Sequence, residues 1–233
     1  MQINKVVALL LFILLLVGIG VQKLQAQQKE KKHLLFSDDF EQGLDTTRWI
    51  AEIEPLPEST VSVQNGYLDL NTKGGVTVWL NKKLTGNIMI EYTRKVVLNG
   101  GPNDRVSDLN QFWMATDPKK PQLFARNGKF EAYDSLSLYY VGMGGNTNTT
   151  TRFRKYNGGE RTLVQEYLDA EHLLKPGIDY HIRIIVKGNQ ISFWVNDQCY
   201  FLYTDPNPLK EGYFGFRSTW SHQQISQIRI YQL

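Results

Sequence analysis

Arg152 and Arg154 stand two residues apart in Thr151-Arg152-Phe153-Arg154-Lys155-Tyr156. On a strand, that spacing puts both side chains on one face. A guanidinium is a planar fork of donors that fits a carboxylate bidentately, and acidic sugars carry carboxylates. Leu138 and Tyr140 likewise share a face, and Arg217, Trp220 and His222 gather near the C-terminus. The faces of Trp113, Tyr140 and Trp220 can stack on sugar rings. Lined along one groove, this set suits a uronic-acid polysaccharide. Each residue also has a plainer reading. Arg152 and Arg154 fit a solvated strand face with ion-pair partners, Tyr140 a half-buried sheet aromatic, and Trp113 and Trp220 core packing.

Two chemistries are open to such a set. A lyase needs the carboxylate neutralised, a base for the C5 proton and a proton donor for the leaving oxygen. Arg152, Arg154 and Arg217 suit the first role, and Tyr140 and His222 the others, with His222 expected in an accessible polar turn, Ser221-His222-Gln223-Gln224. A hydrolase needs two carboxyl groups about 5 Å apart if retaining and farther apart if inverting. Asp108 and Asp134 are the candidate pair, with Asn110 and Arg126 beside them for substrate. The competing view is that an Asp ahead of a strand is a turn residue. The jelly-roll glucanase signature is missing: Glu166-Tyr167-Leu168-Asp169-Ala170-Glu171 has the wrong first spacing and falls where helix is expected. There is no Gly-x-Ser-x-Gly, P-loop, dinucleotide fingerprint or zinc spacing. No cofactor is expected, apart from a structural calcium at Asp38-Asp39 as an alternative.

The elements that must position these residues are strands. Tyr180, Ile182, Ile184 and Val186 alternate on one face; after Gly188-Asn189, Ile191, Phe193 and Val195 return, and Asn196-Asp197 turns again. Further strands are predicted at 34–40, 67–70, 76–80, 88–97, 111–115, 136–141, 150–155, 212–218 and 223–231, punctuated by Gly and Asn. Only 163–174 has helix-like spacing. Many short strands with frequent turns predict an all-β fold, a jelly-roll sandwich of two antiparallel sheets with one curved, groove-forming face.

Residues 1–26 read as a secretory signal peptide: Lys5, an apolar run over 6–21, and Leu24-Gln25-Ala26 as cleavage site. The apolar run is shorter than the ~20 residues of a spanning helix, so no membrane span is expected after cleavage, although an uncleaved anchor is the alternative. A polar tether, 27–32, precedes a single domain at 33–233. Losing Lys5 and Lys23 with the signal takes the formal charge from +3 to +1, which argues against a nucleic-acid partner. Cys199 is the only cysteine, so no internal disulfide forms. In Cys199-Tyr200-Phe201-Leu202 it reads as a buried, inert thiol. The chain is expected to be a monomer, secreted or periplasmic.

A resemblance rests on Phe36-Ser37-Asp38-Asp39-Phe40, Trp49 and Val63-Gln64-Asn65-Gly66-Tyr67-Leu68-Asp69-Leu70, which are similar to the start of many concanavalin A-like lectin/glucanase domains. Asp134 to Tyr140, Thr151 to Tyr156 and Gly215-Phe216-Arg217 resemble a jelly-roll group of the YesU type. The resemblance implies a curved two-sheet sandwich and an association with pectin or rhamnogalacturonan breakdown. It implies no settled mechanism. Two functions therefore stand side by side: an enzyme, lyase or hydrolase, acting on an acidic plant-type polysaccharide, and a lectin-like accessory protein that binds polysaccharide or oligosaccharide without chemistry.

Overall fold

The structure is a computed structural model that describes residues 32–233. The expected signal segment, 1–26, and tether up to residue 31 lie outside the described residues. The apolar alternation resolves into strands β1 (His33–Asp38), β2 (Trp49–Ile53), β3 (Thr60–Gln64), β4 (Tyr67–Leu80), β5 (Leu84–Thr85), β6 (Ile88–Val96) and β7 (Leu109–Thr116). These continue as β8 (Ser137–Gly144), β9 (Thr150–Asn157), β10 (Glu160–Tyr167), β11 (Tyr180–Lys187), β12 (Gln190–Val195), β13 (Gln198–Thr204) and β14 (Glu211–Gln232). The main run of hydrogen-bonded neighbours is β10-β9-β8-β7-β14-β6-β11-β12-β13, and β4 joins it through β14 while holding β2 and β3. All named pairs are antiparallel. This is the curved, near-barrel jelly roll expected from the strand pattern. Among the described residues, no helix is long and apolar enough to cross a membrane.

The 22-residue β14 organises the fold. Its first part pairs with β7 and β4 and its later part with β6 and β1. Two strands were expected here, over 212–218 and 223–231. Instead one strand runs through a bulge, where pairing with β4 slips between Thr219 and Ser221 and Trp220 takes φ +45°. A bulge adds a residue without ending the strand, and it re-aims the side chain at that point. In the same way, the expected strands 67–70 and 76–80 are one strand, β4.

The predicted helix-like stretch is a second correction. Residues Glu160–Tyr167 form edge strand β10, paired with β9, and only Ala170–His172 make a short 3-10 turn. Pairing to the open edge of β9 satisfies the backbone, and that overrides weak helical spacing.

Alternation along the strands sorts two apolar clusters. Trp113, Tyr139, Val141, Phe153 and Phe193 belong to the main core, with Trp113 stacked on Phe153 at 5.8 Å. Residues of opposite parity on the same strands, Phe112, Leu138, Tyr140 and Tyr156, form a second cluster with Trp79 and Tyr133. The candidate site lies on the side of the second cluster.

Candidate functional site

Strand register builds two parallel rows across the sheet. In one, Arg217, Asn110, Gly142, Arg152 and Glu166 lie side by side on β14, β7, β8, β9 and β10. In the next, Gly215, Phe112, Tyr140, Arg154 and Leu163 do the same. Residues two apart share a face, so Asn110, Gly142, Tyr140, Arg152 and Arg154 open on the same side. They line a cleft of about 290 Å³ together with Arg105, Asp108, Phe130, Thr219 and the turn at Gly145-Asn146-Thr147.

Loops close the cleft at both ends of these rows. Arg105 and Asp108 belong to the segment between β6 and β7. Arg105 donates to Asp108 Oδ2 at 2.8 Å and to the carbonyls of Thr219 and Trp220, each at 2.8 Å. Ser107 Oγ donates to Gly144 O at 3.0 Å, which ties this loop to the opposite wall. On that wall, Asn146, Thr147 and Asn148 all take positive φ, as Asp108 does at the start of β7. Thr147 is β-branched, so φ +59° there is strained backbone. The Asn148 side chain holds the turn by accepting from Leu174 N and donating to Leu174 O, both at 2.9 Å.

Charge in the cleft is biased positive. Arg152 is paired with Glu166, its neighbour in the row, and Arg105 with Asp108. Arg154 is half-buried, lies 5.8 Å over the Tyr140 ring, and has no carboxylate partner among the described residues. Two further arginines sit behind the lining, fully buried. Arg217 donates to Gly128 O and to Thr219 Oγ1, and stacks on the Phe130 ring that lines the cleft. Arg94 donates to Asn110 O at 2.6 Å and Arg217 O at 2.9 Å. Burial lowers both guanidinium pKa values, that of Arg94 to about 10, so Arg94 remains a cation at neutral pH. Burial also raises Asp108 above the ordinary carboxyl value, despite Arg105 beside it. Tyr140 is pushed far up by burial and by the Asp108 charge, so its hydroxyl keeps its proton.

Of the residues singled out in the sequence, Tyr140, Arg152, Arg154, Asp108 and Asn110 converge on the cleft. Trp220 is 48% exposed beside it, with Arg105 stacked over its ring at 4.8 Å. Several of the other site expectations need correction. Arg217 is buried behind the lining and not presented to a ligand. His222 is not in an accessible turn: it lies in β14, its Nε2 3.0 Å from Asp69 Oδ2 and its Nδ1 3.0 Å from Asp104 Oδ1. Trp113, of opposite parity to Asn110, points into the core with no exposure. Arg126 pairs with Asp117 at 2.5 Å, away from the cleft lining. Asp134 pairs with Arg161 and does not face Asp108 across the cleft. Cys199, expected to be buried, is exposed at the start of edge strand β13. Of the acids expected at a calcium, Asp38 accepts from Trp49 Nε1 at 2.9 Å and pairs with Arg48, while Asp39 pairs with Arg229. No group of three or more His, Cys, Asp or Glu side chains in metal-binding arrangement occurs among the described residues.

Sequence reasoning left Arg105, Phe130 and the 145–147 turn out of the site. Arg105 carried a signal in its position three residues before Asp108, but the cleft-forming role of the two turns is visible only in three dimensions.

Residues 70–228 match the profile of a domain of unknown function, DUF6250. Among curated protein sequences, none matches. Similar solved structures include a Bacillus subtilis protein of unknown function with a galectin-like fold (TM-score 0.69, 16% identity, 86% of this chain and 96% of that one). Bacillus licheniformis β-glucanase is similar at TM-score 0.60 and 12% identity over 88% of this chain and 100% of that one. The carbohydrate-binding module CBM66 from Bacillus subtilis is similar at TM-score 0.56 and 11% identity, over 79% and 96%. At such identities the likeness is one of fold, and it agrees with the concanavalin A-like architecture expected from the sequence.

Proposed function

The chain belongs to the DUF6250 family, and from that premise we propose that it is an exported carbohydrate-active protein acting on an acidic, pectin-like polysaccharide. The observation that carries this reading is Arg154. It is a half-buried cation on a cleft wall with no carboxylate of its own among the described residues, set beside a tyrosine and backed by two buried arginines. A cleft with positive charge in low-dielectric walls concentrates anionic ligands. The glucanase and carbohydrate-binding folds among its structural relatives support a glycan as that ligand. Pectin-like chemistry follows from the YesU-type resemblance, and export from the apolar N-terminal segment.

Within this reading, the chemistry favoured is β-elimination. Arg154, which has no carboxylate partner among the described residues, neutralises the uronate carboxylate. Asp108, its basicity increased by burial, takes the C5 proton. The C–H pair becomes the C4–C5 double bond as the C4–O bond breaks, and Tyr140 protonates the leaving oxygen. Solvent returns both groups to their starting state. Hydrolysis by a carboxyl pair is disfavoured because, among the described residues, Asp108 is the one carboxylate that lines the cleft. Exposed Trp220 at the rim favours a second reading, a lectin-like binder that uses the same cleft.

The test is incubation of the purified protein with homogalacturonan, rhamnogalacturonan, alginate, ulvan and neutral glucans. Ultraviolet absorbance of unsaturated uronates and new reducing ends are followed together. Elimination gives both on an acidic polymer, and Tyr140→Phe loses both while still binding. Reducing ends without absorbance refute the elimination. Binding without either product selects the lectin-like reading, and binding to none of the acidic polymers refutes both.

A further inference from the structure

Among the described residues, Thr147 is the one β-branched residue with a positive φ. It takes φ +59° and ψ +52°, between Asn146 and Asn148 in the same left-handed region. A branched Cβ is crowded there, whereas glycine adopts this conformation freely. The same turn does use glycine at Gly144, where φ is +69°. The backbone is held from several directions. Gly144 O accepts from Ser107 Oγ at 3.0 Å and from Asp108 N at 3.3 Å. Gly145 O accepts from Thr149 N, and Asn146 O from Thr149 Oγ1, both at 2.9 Å. None of these bonds uses the Thr147 side chain. Its hydroxyl has no hydrogen-bond partner among the described residues, and Thr147 is exposed where it lines the cleft. Asp108 in the lining and Trp220 at the rim also take positive φ, so strained positions gather at this cleft. Such strain persists where the surroundings over-determine the backbone and the side chain is needed for function.

We propose that Thr147 is a ligand contact whose hydroxyl hydrogen-bonds a hydroxyl of the bound sugar. The inference rests on the acidic-glycan reading of the cleft and adds a residue that recognises the neutral part of the ligand. The turn closes the β8–β9 hairpin that carries Tyr140 and Arg154, with Gly145 bridged to Thr150. Thr150 and Arg154 are four residues apart on β9, roughly 13 Å along the strand. Thr147 therefore meets the glycan away from the carboxylate that Arg154 takes. A turn fixed on both sides presents its hydroxyl already in place, so little ordering is lost on binding. A neutral hydroxyl adds affinity without adding charge, and the salt dependence of binding stays with the arginines.

Calorimetric titration with oligosaccharides of galacturonic acid, rhamnogalacturonan and alginate tests this, with melting curves alongside. Thr147→Gly removes the hydroxyl and relieves the strain, which offsets the greater freedom of glycine in the unfolded chain. It is expected to bind roughly three- to tenfold more weakly, with Tm unchanged or raised. Thr147→Val keeps the branched shape without the hydroxyl and weakens binding to a similar extent, whereas Thr147→Ser retains most of the affinity. The slope of affinity against salt stays at its wild-type value in all three. Wild-type affinity in Thr147→Gly or in Thr147→Val overturns the inference. So does a Tm several degrees lower in Thr147→Gly, which makes Thr147 a structural residue. These results leave the acidic-glycan reading standing. Binding of none of the oligosaccharides by the wild-type protein refutes that reading, and this inference with it.

Discussion

Replacing His222 with leucine removes the bridge between two acids that lie far apart in sequence. His222 Nε2 meets Asp69 Oδ2 and Nδ1 meets Asp104 Oδ1, both at 3.0 Å. The hydrogen bond to Asp69, opposed by partial burial and assisted by Asp104, raises the histidine pKa above its ordinary 6.5. Burial would raise Asp104, but the backbone N–H groups of Asn99 and Gly101 together with His222 outweigh it and hold that carboxyl below its ordinary 3.8. Two bonds to charged groups would total about 3–6 kcal/mol. Asp104 keeps its two backbone donors and Asp69 keeps Gln224 Nε2 at 3.1 Å. That places His222→Leu at about 2–3 kcal/mol, or roughly 4–12 °C in Tm for a domain of this size.

The same bridge fixes the pH dependence. A histidine whose pKa is raised on folding stabilises fully below its unfolded value and loses that contribution as pH rises through the folded one. A carboxyl whose pKa is depressed stabilises above its unfolded value and loses its contribution as pH falls. The clamp is thus complete between the ordinary values of 3.8 and 6.5. Melting curves of wild type and His222→Leu at pH 5 and pH 9 should differ most at pH 5. A gap that is constant across this range, or widest at pH 9, would refute the charged clamp.

Three further outcomes follow from the cleft. Arg154→Ala should weaken a carboxylated oligosaccharide by roughly tenfold or more, with little change in Tm, because no carboxylate is orphaned; calorimetry at two ionic strengths should show a reduced salt dependence, and unchanged affinity would move the carboxylate elsewhere. The acid limb of the turnover pH profile should lie above 3.8, since Asp108 must be deprotonated to act as base and burial raises its pKa; turnover surviving in Asp108→Asn would end that assignment. Gly75→Ala should lower stability by about 2–4 kcal/mol, because the added methyl overlaps Gly128 O and crowds the Arg217 guanidinium that donates to it; denaturant unfolding with an unshifted midpoint would show that the two segments separate freely.

The sequence by itself determined what backbone stereochemistry imposes locally. Period-two alternation put Arg152 with Arg154 and Leu138 with Tyr140 on shared faces, and the same parity separates Asn110 from Trp113, although the sequence did not say which face was wet. Most strands were legible, as was the jelly-roll class, because each pleated segment declares its apolar face without help from the rest of the chain. The 163–174 stretch failed because a free sheet edge outside that window decided its conformation. The Thr219–Ser221 bulge failed because it is defined by slippage against β4. The tertiary structure alone decided which charges are spent and which are open. Arg152 is neutralised from β10, Arg217 is buried against Gly128, and His222 is claimed by acids 153 and 118 residues away. Arg154, chemically identical to its neighbour two residues before it, has no carboxylate partner among the described residues. Those pairings are set by strand order and loop closure over long separations, and residue type and spacing carry no record of them.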